Sequence, residues 1–194
     1  MRKFAIKSAA PSGEGDVRGS DDSGQGWFRK KWRLITLLAI VVIAFVIRFV
    51  FAYGISAGDN YALSGGTSAS SHLNSIISIL SGTFTTTDSA LNYPLGSLNI
   101  YPPLMDFIMA GVAGLVSLFG ISTATAAAGT LAWSTPILAA LTCYPVYLVA
   151  KKMFRDDEKI GLLAALFYAL FALLIMTTVF SNGTEYAFVG FMFA

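Results

Sequence analysis

Apolar runs alternate with short polar connections along this chain, and the length of each run predicts its role. Leu34 to Tyr53, "LITLLAIVVIAFVIRFVFAY", is an apolar run carrying a single charge, Arg48, long enough as a helix to cross roughly 30 Å of hydrocarbon. Three further runs follow, Pro103 to Ile121, Ala124 to Ala150 and Ile160 to Phe180, and another opens at Phe188. Between the first two lies a stretch rich in Gly, Ser, Thr, Asn and Pro. Within it "SSHLNSIISIL" sets Leu73, Ile76, Ile77 and Leu80 at helical spacing behind Ser and Thr caps, which predicts a helix over about 72–81. "NYPLGS" predicts a turn, with Pro94 fixing φ and Gly96 free to take a positive φ.

Composition turns these runs into a class. Charged residues make up 12% of the chain and mean hydropathy is +0.66, whereas an ordinary soluble domain carries about 25% charged residues. An all-α polytopic membrane protein in contact with the lipid bilayer is expected, with no nucleic-acid partner. The charges are segregated as well. Arg2, Lys3, Lys7, Arg18, Arg29, Lys30, Lys31 and Arg33 precede the first run, Lys151, Lys152, Arg155 and Lys159 cluster around one later loop, and Arg48 is the only other base. Cytoplasmic loops collect Lys and Arg, so both clusters are placed inside.

If all three middle runs crossed, "KKMFRDDEK" would fall on the outer side. The run least suited to crossing is Pro103–Ile121, which opens on Pro, carries Asp106 in its first turn and contains three glycines. Laid along the outer interface it restores the charge rule. The expected order is then a disordered basic cytoplasmic tail over 1–33, transmembrane helix 1 over 34–53, and an external loop over 54–123 with interfacial helices at about 72–81 and 103–121. Transmembrane helix 2 over 124–150, a cytoplasmic basic loop over 151–159 and transmembrane helix 3 over 160–180 follow. An external loop over 181–187 leads to the start of a fourth helix over 188–194. The last residues, "FVGFMFA", lie inside an apolar stretch with no cap or polar tail, which reads as an N-terminal fragment of a longer protein.

Candidate chemistry is concentrated outside. The external acids are Asp59, Asp88, Asp106 and Glu185, and the single histidine, His72, lies with them. No Lys or Arg accompanies them, so they either face water or share a hard divalent cation. Asp88, after "TTT", suits an N-cap equally well. Arg48, near the outer end of the first run, is expected to snorkel outward or to pair with a carboxylate in the bundle. Cys143, the sole cysteine, falls in an apolar run as a small packing residue.

Four stretches resemble the catalytic subunit of oligosaccharyltransferase, most closely its archaeal single-subunit form: "YALSGGTSASSHL", "TFTTTDSALNYPLGSLNIYPPLMDFI", "WSTPILAALTCYPVYLVAKKMF" and "KIGLLAALFYALFALLIMTTVFSNGTEYAFVGF". The spacing from Asp88 through "NYPLG" to "PPLMD" is the most specific. The resemblance implies the N-terminal transmembrane region of a GT-C-type glycosyltransferase with a long external first loop. It implies transfer of an oligosaccharide from a polyprenyl (dolichyl) phosphate carrier to the Asn of Asn-x-Ser/Thr in an acceptor polypeptide, that is, protein N-glycosylation on the outer face of the membrane. Acids of the first two external loops, with Mn²⁺ or Mg²⁺, would orient the acceptor amide and stabilise charge at the leaving phosphate.

The family motifs are matched in part. His72 and Asp88 fit the first-loop pattern, but Ser68 stands where the family has an Asp four residues before the histidine, and Asn74 where it commonly has Arg. In the second loop Thr184, Glu185 and Tyr186 fall on an acid-x-acid or acid-x-His triplet, so one carboxylate remains. Asp59, nine residues before Ser68, is the candidate replacement for the missing first-loop acid. Asp59 and Glu185 are therefore the expected catalytic and metal-binding pair. A non-catalytic paralogue or scaffold with the same membrane fold, and another GT-C enzyme using a polyprenyl-phosphate sugar, are the alternatives.

"SNGTEYAF", Ser181 to Phe188, admits three readings. Asn182-Gly183-Thr184 matches a glycosylation acceptor. Ser181 or Asn182 with Gly183 could equally cap one helix while Thr184 starts the next. The third reading is an altered second-loop metal motif centred on Glu185.

Overall fold

The computed structural model describes residues 22–56, 63–85, 87–88, 96–98 and 103–194. Asp59 lies outside the described residues, as does most of the expected turn at "NYPLGS", of which Gly96 shows a positive φ of 73°. Met1–Ile35 and Thr36–Ala194 form separate units. Helix α1 runs Asp22–Ser56, so residues 22–33 are helical where a disordered tail is expected. From Trp27 to Arg33 that segment contains neither Gly nor Pro, and its Arg and Lys are good helix formers, so the helix extends upstream.

Within the second unit α1 buries Leu37, Ile40 and Ala44 and turns Leu38, Val42, Val46 and Val50 outward. The two stripes follow helical spacing, and the outward one is the apolar surface a bilayer would cover. Lys31–Val50 and Thr123–Met153 are the two helical stretches, among the described residues, long and apolar enough to cross a membrane. The second of these is α4, capped at its start by Ser122, whose side chain accepts from the Thr125 N–H.

Two cores meet on α4. One joins α1 to α4 and to α5 (Glu158–Leu170) through Leu37, Ile40, Ala44, Ala140, Cys143, Ala165 and Ala169. The preponderance of alanine lets the helix backbones approach closely. Gly161 shows how closely: a Cβ there would stand 2.9 Å from the Tyr147 carbonyl oxygen. The other core joins α4 to α2 (Gly66–Leu80) and α3 (Leu104–Ser117) through Ile76, Met105, Met109, Ala113, Ala126 and Leu131.

Between α2 and α3, β1 (Thr87–Asp88) pairs antiparallel with β2 (Ser97–Leu98). This places Asp88 opposite Ser97; the Asp88 side chain is outside the described residues.

The run expected to form one helix over 160–180 is broken. α5 ends at Leu170, Phe171 is extended (φ −66°, ψ 113°), and a short α6 (Ala172–Thr177) follows. A helix end leaves its last carbonyls without intrahelical donors, and here Arg48 supplies them. Its guanidinium donates to the Ala169 oxygen at 3.0 Å, the Tyr168 oxygen at 3.4 Å, the Ala44 oxygen at 3.0 Å and Thr178 Oγ1 at 2.8 Å. Arg48 is wholly buried, so it neither snorkels nor depends on a carboxylate for these contacts; it caps a broken helix inside the bundle.

Candidate functional site

The site forms where α2, α3 and the turn before α7 (Tyr186–Phe193) converge. Helix α2 starts at Gly66, earlier than the helix expected over 72–81. Ser68 and His72 are therefore four residues apart within one helix and share a face. On α3 the buried positions Met105, Asp106, Met109, Ala110 and Ala113 repeat at helical spacing, so Asp106 lies on the apolar face.

These placements link four side chains. His72 Nδ1 is 2.7 Å from Asp106 Oδ1. His72 Nε2 is 3.3 Å from Glu185 Oε2, and Ser68 Oγ donates to that same oxygen at 2.9 Å. His72 and Asp106 are buried, whereas the Glu185 side chain is 24% exposed. The polar cluster therefore opens outward at Glu185.

The environment sets the charges. Burial alone would pull the His72 pKa down, but the hydrogen bond and negative charge of Asp106, then those of Glu185, outweigh it and hold it above the usual histidine value. For Glu185 burial pushes upward, yet its own backbone N–H, the Ser68 hydroxyl and His72 together leave it below the usual carboxylate value. Glu185 is thus ionised at neutral pH, and an ionised carboxylate only accepts hydrogen bonds.

The turn carrying Glu185 is fixed by hydrogen bonds to α4, to α1 and to Ser64 ahead of α2. Pro136 lies inside α4 and has no N–H to give the carbonyl four residues earlier. The freed Ala132 oxygen accepts instead from the Ser181 N–H at 3.1 Å, and Thr135 Oγ1 accepts from the Gly183 N–H at 3.4 Å. The Phe180 N–H donates to the Arg48 carbonyl at 3.0 Å, and the Ser64 N–H donates to the Ser181 carbonyl at 2.8 Å. Ser181 and Gly183 both take positive φ, 66° and 64°. That conformation is natural for Gly183, and at Ser181 the surrounding bonds hold it in place.

Of the residues expected at the site, His72 and Glu185 meet. Asp106, which the sequence places among the external acids with no role of its own, is the missed partner. Its signal was an acid at a buried position of an apolar helix face. Asn182 donates from Nδ2 to the Met176 carbonyl at 3.3 Å, so this side chain caps the end of α6. The residue before α7 is Glu185 and not Thr184, and no side chain caps that helix start.

Among the described residues no group of three His, Cys, Asp or Glu is arranged to hold a metal ion.

No family model matches the sequence, and no curated protein matches it. Solved structures do. The crystal structure of the apo Archaeoglobus fulgidus oligosaccharyltransferase matches with a TM-score of 0.72 at 21% identity, over 84% of this chain and 18% of that chain. The archaeal oligosaccharyltransferase AglB from A. fulgidus, in complex with an inhibitory peptide and a dolichol-phosphate, matches with a TM-score of 0.71 at 20% identity and the same coverage. The chain thus spans less than a fifth of the length of the solved proteins it matches. Over most of its own length it shares the fold of these archaeal oligosaccharyltransferases, the family its motifs resemble.

Proposed function

We propose that this chain is part of a membrane glycosyltransferase of the oligosaccharyltransferase type, with the GT-C architecture. In this reading it contributes to transfer of a glycan from a polyprenyl (dolichyl) phosphate carrier to the Asn of Asn-x-Ser/Thr in an acceptor polypeptide. The supporting observation is that the two external stretches carrying the motif-like residues, "SSHL" and "NGTEY", meet at one point, His72 against Glu185, within a fold shared with enzymes of that type. The external face of the cell membrane, with the N-terminus and the 151–159 loop inside, belongs to the same reading and follows from the charge distribution.

Glu185 is the reacting-face group. Held ionised and part-exposed, it can accept an N–H of the acceptor amide and fix the orientation of that nitrogen. Ser68 and His72 fix the carboxylate in turn, and burial of His72 and Asp106 keeps water from that side. A divalent cation, Mn²⁺ or Mg²⁺, belongs to this reading, with Glu185 as a ligand and Asp59 as its proposed companion; when bound it would stabilise charge on the leaving phosphate.

One observation favours a second reading, a non-catalytic paralogue. Ser68, at the place of the family's first-loop acid, donates a hydrogen bond to the one remaining second-loop carboxylate, which is the contact of a structural cluster. Membranes carrying the chain, given dolichyl-phosphate-linked oligosaccharide and a fluorescent Asn-x-Thr peptide, separate the two. Glycopeptide that forms with the natural chain and is lost with Glu185→Gln supports transfer. Carrier-lipid binding without glycopeptide supports the paralogue.

A further inference from the structure

The turn that joins α4 to α5 carries four bases and three acids within residues 151–159, and its contacts divide them unequally. Lys151 Nζ is 3.2 Å from Glu158 Oε1, and Lys152 Nζ is 3.1 Å from Asp156 Oδ1. The third acid, Asp157, accepts from the Lys159 N–H and so caps the start of α5. Arg155 and Lys159 are exposed, and neither side chain forms an ion pair among the described residues.

Both cations stand where the local backbone disfavours them. Arg155 and the following Asp156 have φ of 55° and 62°, a left-handed conformation that is unfavourable without glycine. It is held by the Asp156 N–H, which donates to the Lys151 carbonyl at 2.9 Å, and by the Asp157 N–H, which donates to the Phe154 carbonyl at 3.0 Å. Lys159 lies in the first turn of α5, at the positive end of the helix dipole. Beside them Met153, the last residue of α4, and Phe154, its C-cap, are 73% and 53% exposed. A bilayer edge suits this combination, offering hydrocarbon to the apolar side chains and phosphate to the cations. Helix α4 is long and apolar enough to cross a membrane, and a spanning α4 carries the turn to such an edge.

We propose that the α4–α5 turn is a docking surface for anionic phospholipid, with Arg155 and Lys159 on the headgroup phosphate and Met153 and Phe154 against its acyl chains. Charge complementarity selects an anionic headgroup. The apolar pair selects a lipid over a free phosphate ion, which has nothing to place against Met153 and Phe154. This surface is independent of the His72 cluster and of any transfer chemistry.

The test gives the purified chain in detergent either phosphatidylglycerol or phosphatidylcholine with the same acyl chains, and counts bound lipid by native mass spectrometry. Retention of phosphatidylglycerol roughly fivefold or more above phosphatidylcholine is expected. Arg155→Gln and Lys159→Gln should each lower that preference about fivefold. Lys152→Gln combined with Asp156→Asn removes an ion pair at constant net charge and should leave it unchanged. Arg155→Gly keeps the test decisive if another variant unfolds: glycine suits the positive φ, so this variant should melt no lower than the natural chain while losing lipid preference as Arg155→Gln does. Equal retention of the two lipids overturns the proposal. So does a preference that survives both Arg155→Gly and Lys159→Gln, or one that inorganic phosphate abolishes.

Discussion

The Ser181 N–H donates to the carbonyl oxygen of Ala132 at 3.1 Å, in the place an α-helix would fill with the N–H of residue 136. Residue 136 is proline, so this missing helix hydrogen bond serves as the docking point for the turn that presents Glu185. Backbone groups freed by Pro in membrane helices need other partners, and here the partner is the loop of the candidate site. The same logic governs the break at Phe171, whose freed carbonyls are taken by Arg48.

Gly65 should not tolerate a side chain. An added Cβ would lie 1.9 Å from the Asn182 carbonyl oxygen and 2.8 Å from Thr184 Cγ2, on backbone that cannot move without breaking the Ser64–Ser181 contact. Gly65→Ala is expected to destabilise the chain by about 2–3 kcal/mol, at the upper end for overpacking. Gly66→Ala meets open space and only a positive φ of 64°, so it should cost about 1 kcal/mol. Thermal unfolding of the two variants side by side checks the order.

Arg48→Met should be strongly destabilising, although it removes a buried charge from an apolar bundle. It leaves the Ala169 carbonyl and Thr178 Oγ1 without the donors they now have, and each buried unsatisfied group costs about 1–3 kcal/mol. Arg48→Lys should recover part of the loss, since an ammonium has fewer donors and no fork geometry. Denaturant unfolding in detergent measures both.

Stability of the chain should depend on pH with a definite sign. The folded pKa of His72 is raised, so its contribution is fully present below the ordinary value of about 6.5 and is lost as pH rises through the folded value. The folded pKa of Glu185 is lowered, so its contribution is present above the ordinary value of about 4.3 and is lost as pH falls through the folded value. A plateau in melting temperature between roughly pH 4.5 and 6.5 is expected, with a decline on the alkaline side that His72→Gln removes. A decline of the same size in His72→Gln would assign it to other groups.

The apolar runs were the most legible part of the chain, because length and charge asymmetry act locally along the sequence. The turn at 181–185 was legible as a place and not as a geometry. Its conformation depends on Pro136, Arg48 and Ser64, which lie 45, 133 and 117 positions before Ser181. The helix break at Phe171 left no local mark, since neither Gly nor Pro occurs between Leu162 and Phe180; its visible partner is a lone arginine 123 positions earlier. His72 and Glu185 could be named from motif resemblance, whereas Asp106 was hidden by a default that reads an acid near a helix start as a solvated or capping group. Burial of position 106 against α2 reverses that reading, and only the packing of α3 reveals it.

The central claim is that Asp106, His72 and Glu185 act as one coupled unit drawn from three separate elements. A double-mutant cycle on unfolding free energy, using His72→Gln, Asp106→Asn and the two together, tests it most directly. A coupling energy of about 1–3 kcal/mol is predicted, as for residues within one hydrogen-bond network. Additivity within about 0.5 kcal/mol, the behaviour of independent sites, would contradict it.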